Sequence, residues 1–175
     1  GSRFADGAKR NPDGEVFMKN RETDEWLTQN IKSTRNFIRK WGHFVKHDSY
    51  LKPIIPPKYD IGFIAKNSSL DLIKVLEPWC NTLYTDGEYL KYISLEQPNT
   101  KFNLKERVKP FDNEKQNQIL VEIDGNNFTQ KDAHIIQQLS EIIADSGELG
   151  EYELGNLKIY ILALDTFEHN LIKIK

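Results

Sequence analysis

The sequence predicts an α/β fold: a mainly parallel, Rossmann-like sheet flanked by helices and preceded by a basic amphipathic helix. Three observations carry this reading. From Tyr59 onward, short apolar runs alternate with helical patterns in β-α-β-α order, whose usual solution is a parallel sheet with right-handed crossovers. Two of the helical patterns open on capping-box spacing, Ser68 with Asp71 and Thr129 with Asp132. Before Tyr59 the hydrophobic period is that of one long helix, set apart by a proline-rich connector. The 175 residues are enough for one domain with a helical extension.

Residues 1–21 are polar and carry turn chemistry at Asp6-Gly7 and Asn11-Pro12-Asp13-Gly14, so they read as a flexible or tag-derived segment. Residues 22–58 form the next piece. From Glu22 to about His47, Trp26, Leu27, Ile31, Phe37, Ile38, Trp41, Phe44 and Val45 recur at helical steps. Lys32, Arg35, Arg39 and Lys46 fall largely between them and are expected to be solvated around an apolar face. Gly42 weakens this helix by about 1 kcal/mol relative to alanine and is a place for a break. Pro53, Pro56 and Pro57 then stiffen a connector that ends at Lys58.

Residues 59–175 make the α/β domain. Tyr59–Ala65 is a buried-strand run, followed by a helix with Leu70, Leu72, Ile73, Val75 and Leu76 on a broad apolar face, which Pro78 ends. Thr82–Thr85 is a second strand, closed by Asp86-Gly87, and a helix follows from Glu88 to Glu96. Residues 98–118 read as a long polar loop. Gln118–Ile123 is the third strand, Asp124-Gly125 turns the chain, and one helix is expected over 130–145 with Gly147 as its cap. Leu157–Leu162 alternates as a strand, and Leu171–Ile174 reads as a last edge strand.

Charge and cysteine content narrow the function classes. Lys and Arg number 24 and Asp and Glu 26, a near-neutral balance that argues against nucleic acid as a general partner. The distribution is uneven: residues 1–58 hold 12 basic and 7 acidic residues, and residues 59–175 hold 12 basic and 19 acidic. A basic helix against an acidic globule is the simplest reading. The single cysteine, Cys80, excludes an intrachain disulfide and fits a reducing, cytoplasmic setting. No apolar run approaches the ~20 residues of a membrane span.

In an open parallel sheet, ligands bind at the carboxyl ends of the strands. That rule selects Asn67 and Ser68 after the first strand, Asp86 after the second and Asp124 after the third as candidate ligand-binding residues. Backbone N–H groups near Ser68 would suit an anion, and the two carboxylates would accept from sugar hydroxyls. The same residues also have ordinary roles as helix caps and turn formers. Asp86 lies 24 positions after Gly62, about where a dinucleotide fold puts its ribose-binding acid, but GFIAKNSS lacks the glycine-rich turn, which disfavours a nicotinamide enzyme. His43 and His47 have i,i+4 spacing but no further ligand, so no metal site is assigned. No Gly-x-Ser-x-Gly elbow or phosphate loop is present.

Asn36-Phe37-Ile38-Arg39-Lys40-Trp41-Gly42 resembles the segment that often closes the catalytic domain of family 2 (GT-A type) glycosyltransferases. The resemblance covers about a quarter of the chain. It implies that residues 3 to about 50 are the tail of such a domain, with residues 59–175 as an appended α/β domain. That family holds a divalent metal and a nucleotide sugar with Asp-x-Asp, and no Asp-x-Asp occurs here. Metal and nucleotide sugar would therefore belong to the parent enzyme, and no catalytic residue or cofactor is assigned to this chain. The expectation is an accessory domain that binds acceptor, nucleotide, another subunit or the rest of a larger polypeptide. The competing expectation is an interaction module with no ligand site.

Overall fold

The computed structural model describes residues 24–44, 49–52 and 56–167. The readings made for residues 1–21, Val45, Lys46, His47, Pro53 and Leu171–Ile174 lie outside them. The chain divides into two compact units, Gly1–Arg35 and Asn36–Lys175. Helix α1 runs over Asp24–Trp41, with Asp24 and Glu25 in its first turn and Arg39 and Lys40 in its last, matching the helix dipole. Gly42 ends the helix: its φ is +82°, and its N–H bonds the Ile38 carbonyl at 2.7 Å. In the first unit Trp26, Leu27 and Ile31 are exposed.

The second unit is an α/β fold of the expected class. Its six-stranded sheet has the order β4-β3-β2-β5-β7-β6. Strands β2 (Ile61–Lys66), β3 (Thr82–Thr85), β4 (Val108–Pro110) and β5 (Ile119–Asp124) are mutually parallel. Strands β6 (Gly150–Leu154) and β7 (Leu157–Ile161) form a hairpin, and β7 pairs antiparallel with β5. A separate two-residue ladder joins β1 (Lys58–Tyr59) to β8 (Thr166–Phe167). Among the described residues no helix is long and apolar enough to cross a membrane.

One face of the sheet supplies the core. Ile61, Phe63 and Ala65, Leu83, Val108, Ile119, Val121 and Ile123, and Leu157, Ile159 and Ile161 are buried. They pack with Leu72, Ile73 and Leu76 of α2 (Leu70–Leu76), Tyr92 and Ile93 of α3 (Tyr89–Glu96), Ile136 of α5 (Gln130–Gln137), and Leu139 and Ile143 of α6 (Leu139–Ser146). Strand residues of the opposite parity, such as Ile64, Leu120, Glu122 and Tyr160, are half-buried. The alternation along β5 and β7 is that of a sheet with one solvated face.

Three local readings need correction, and one strand is additional to those expected. The stretch 98–118 is not all loop: α4 (Leu104–Arg107) is capped by Asn103 and leads into edge strand β4, where Pro110 is tolerated because, among the described residues, only β3 pairs with it. The 130–145 helix breaks at Gln138, whose φ of −109° and ψ of 6° separate α5 from α6. The cap of α2 is Ser69, whose hydroxyl accepts from the Leu72 N–H at 3.1 Å, whereas the Ser68 hydroxyl turns back to the Ala65 carbonyl. Strand β6 was hidden by its acidic composition.

Thr129 and Asp132 do form a capping box, and Gly147 does cap α6. The reason for glycine at 147 is space. Its φ is −74°, but a Cβ there would stand 2.6 Å from the Ile143 carbonyl oxygen.

Candidate functional site

The strand-end rim assembles as the topology requires. β2, β3 and β5 run parallel and deliver Asn67, Asp86 and Asp124 to one edge. The Asp86 carboxylate accepts from the backbone N–H groups of Asn67 and Ser68 at 2.8 and 3.1 Å. The Asn67 side-chain amide donates to Asp124 Oδ1 at 2.9 Å, and the Asn126 N–H reaches the same oxygen at 2.9 Å. These bonds, led by that from Asn67, hold the exposed Asp124 carboxyl below the usual range. Asn67 takes φ +54°, a left-handed conformation that asparagine tolerates better than most residues.

Two glycines let the three turns close on one another. A Cβ at Gly125 would stand 2.1 Å from the Asn67 carbonyl oxygen, and one at Gly87 2.5 Å from that of Ser68. The rim is therefore a tight knot of backbone and carboxylate. The two N–H groups expected to receive an external anion already hold Asp86, and two carboxylates in place make the edge repel a bare diphosphate. Among the described residues no group of three or more His, Cys, Asp or Glu side chains could hold a metal. What this edge offers chemically is hydrogen-bond acceptance at Asp86 and Asp124.

A second polar constellation lies at the other end of the molecule's chemistry, inside it. Arg39 was expected on a solvated face and is 1% exposed. Its Nη2 lies 2.6 Å from Glu77 Oε1 and 2.7 Å from Glu96 Oε2. Its Nη1 donates to the Asn36 side-chain oxygen at 2.7 Å. Glu77, with zero exposure, also accepts from Arg107 Nε at 2.7 Å and the Tyr92 hydroxyl at 2.7 Å. Arg107 reaches on to the carbonyls of Glu77 and Cys80. Asn36 donates to the Asn99 carbonyl, and Asn99 to Glu96.

Two guanidiniums thus balance two carboxylates, and the burial that would be ruinous for one charge becomes tolerable for four. Burial alone would raise the Glu77 carboxyl, but bonding to Arg39 and the charge of Arg107 bring it down to about 2. Burial would lower the Arg39 guanidinium, and Glu77 and then Glu96 more than reverse this. Lys58 closes the end of α1, with Nζ 2.9 and 3.2 Å from the carbonyls of Arg39 and Lys40. Burial, reinforced by Arg107, lowers its ammonium to about 8.

Sequence reasoning passed over Glu77, Tyr92, Glu96 and Arg107. A signal was present: Glu77 follows Ile73 by four positions and Glu96 follows Tyr92 by four, so both acids sit on apolar helix stripes. Asp132 does more than complete a capping box. It is fully buried, and beyond Thr129 it accepts from the Asn156 N–H and side-chain amide at 2.9 and 3.1 Å. It thereby ties the start of α5 to the β6–β7 turn.

The remaining candidates resolve simply. His43 is buried, packs edge-on to Phe37, and holds Nδ1 2.5 Å from the Phe44 carbonyl oxygen. Cys80 is buried, and burial pushes its thiol well up, away from nucleophilic reactivity. Lys40 is exposed and lies over the Trp41 ring. The chain matches no protein-family model, no curated protein and no solved structure.

Proposed function

We propose that this chain is an accessory α/β module of a sugar-transfer enzyme and is not itself reactive. The observation that carries the reading is the buried clamp around Arg39. The segment Asn36–Gly42, which resembles the end of a glycosyltransferase catalytic domain, is gripped through Asn36, Ile38 and Arg39 by the body of the α/β fold. A segment held in this way is part of the packed α/β fold rather than a loose tether.

The rim supports ligand binding less than it supports structure. Asp86 occupies the anion-ready N–H groups, so a nucleotide diphosphate has no cradle there. A neutral sugar accepted by Asp86 and Asp124 is the ligand chemistry that remains, and a partner surface with an empty rim is the reading favoured by the closed knot. Titration of labelled protein with nucleotide sugars and with simple glycans, followed by NMR, tests this. Shifts absent from Asn67, Ser68, Asp86 and Asp124 support the partner reading. Saturable shifts clustered there with a neutral glycan would establish a sugar site, and with a nucleotide sugar would overturn the account of the rim.

A further inference from the structure

We infer that the outer edge of β6 is a docking site for an extended peptide segment in which aliphatic and basic side chains alternate. This goes beyond the accessory role proposed above and does not depend on it. Strand β6 ends the sheet, and among the described residues its one neighbour is β7. An edge of this kind presents main-chain donors and acceptors to an added strand.

The two faces of the edge differ sharply. On the helix side, Tyr152 and Leu154 border an apolar cleft completed by Leu139, Ile142, Ile143 and Ile159. The cleft holds about 90 Å³, far short of the ~300–1,000 Å³ of a small-molecule pocket. It suits single aliphatic side chains delivered at every second residue. On the other side, Glu151 and Glu153 are exposed and alternate with Tyr152 and Leu154.

Charge selects the occupant. From Asp132 to Leu157 the chain has six acidic residues, Asp132, Glu141, Asp145, Glu148, Glu151 and Glu153, and no lysine or arginine. Asp132 is buried with its donors inside the fold, whereas Glu151 and Glu153 are exposed. Pairing of two β6 edges, antiparallel about Tyr152, would set Glu151 of one copy against Glu153 of the other, and like charges directly opposite are unfavourable. That register of self-pairing is thereby disfavoured against a basic strand. A strand with lysine or arginine at every second position meets Glu151 and Glu153 on one face while its aliphatic residues enter the cleft on the other.

The test titrates the labelled chain with an acetylated heptapeptide alternating lysine with isoleucine or valine. Controls are its glutamate-for-lysine counterpart and an isomer with the lysines grouped at one end. The expected result is saturable shifts confined to residues 149–154 and to Ile142 and Ile143, seen only with the alternating lysine peptide. Leu154→Asp should weaken binding at least tenfold. Glu151→Lys with Glu153→Lys, two exposed changes that spare the core, should transfer preference to the glutamate peptide. Absence of saturable shifts, equal binding of the grouped isomer, or lysine-peptide binding that survives the charge reversal would each overturn the proposal.

Discussion

Arg39 shows how one buried side chain ties the last turns of α1 into the α/β fold. Removing a single partner from a buried ion cluster leaves the others uncompensated, which typically costs about 3–5 kcal/mol. Arg39→Ala should lose that much in urea denaturation, since it takes a guanidinium from both Glu77 and Glu96 at once. A loss below about 1 kcal/mol would mean the cluster relaxes into water. The same carboxylate gives acid sensitivity. The Glu77 carboxyl is ordinary in the unfolded chain, near 4.5, and about 2 in the fold, so its contribution is complete above pH 4.5 and fades as pH falls toward 2. The stability at stake is on the order of 3 kcal/mol, and Glu77→Gln should flatten the acid limb of a pH–stability curve. The rim makes a steric prediction at the same scale. Gly125→Ala forces a Cβ against the Asn67 carbonyl and should cost about 1–3 kcal/mol by thermal or urea unfolding.

At the scale of elements, what was legible was what periodicity writes. The runs at 61–66, 82–85, 119–124 and 157–161 are strands because aliphatic and aromatic residues fill the core-facing positions. Strand β6 escaped because GEYEL spends its alternate positions on glutamates, and β4 because three residues leave no period to read. Arg39 escaped because helical spacing alone cannot tell a solvated arginine from one whose acids arrive from positions 77 and 96. The rim residues were legible by topology, yet their mutual hydrogen bonding was not, since it depends on two glycines at places where a Cβ would clash. Helix α1 carries an alkaline test of its own. Lys58 is charged up to about 10.5 when unfolded but only to about 8 in the fold, so the unfolded chain binds more protons between those values. Lys58 therefore adds stability as pH rises from 8 to 10.5. Tyr59, Tyr84 and Cys80, raised by burial, act oppositely in alkali, so the effect is read as the difference between wild type and Lys58→Met. That difference should move in favour of wild type across this window.

Over the whole molecule, the burial pattern divides labour between two ends of one sheet. Phe63, Leu83 and Val121, all with no exposure, form the centre, and β5, β7 and β6 carry the helix layer outward through Leu139 and Ile143. Leu139, 2% exposed at the start of α6, joins both regions, and Leu139→Ala should cost about 2–5 kcal/mol in urea. Against this rigid frame, chemistry has few places to act. A sugar-transfer centre needs a metal or its equivalent to hold the diphosphate leaving group and a base to take the acceptor proton. At the rim, Asp124 is held low by the Asn67 and Asn126 donors, so it is a poor base near neutrality. Asp86 accepts from two backbone N–H groups, one on each carboxylate oxygen, and so serves the turn. The strongest buried acid–base assembly, around Glu77, is closed to substrate and neutralised by its own arginines. The chain alone should therefore leave nucleotide sugars intact, with or without Mn²⁺, in an assay that counts released nucleoside diphosphate. Release above background by rigorously pure protein, abolished by Asp86→Asn or Asp124→Asn, would locate a reactive centre at the rim and overturn the accessory reading.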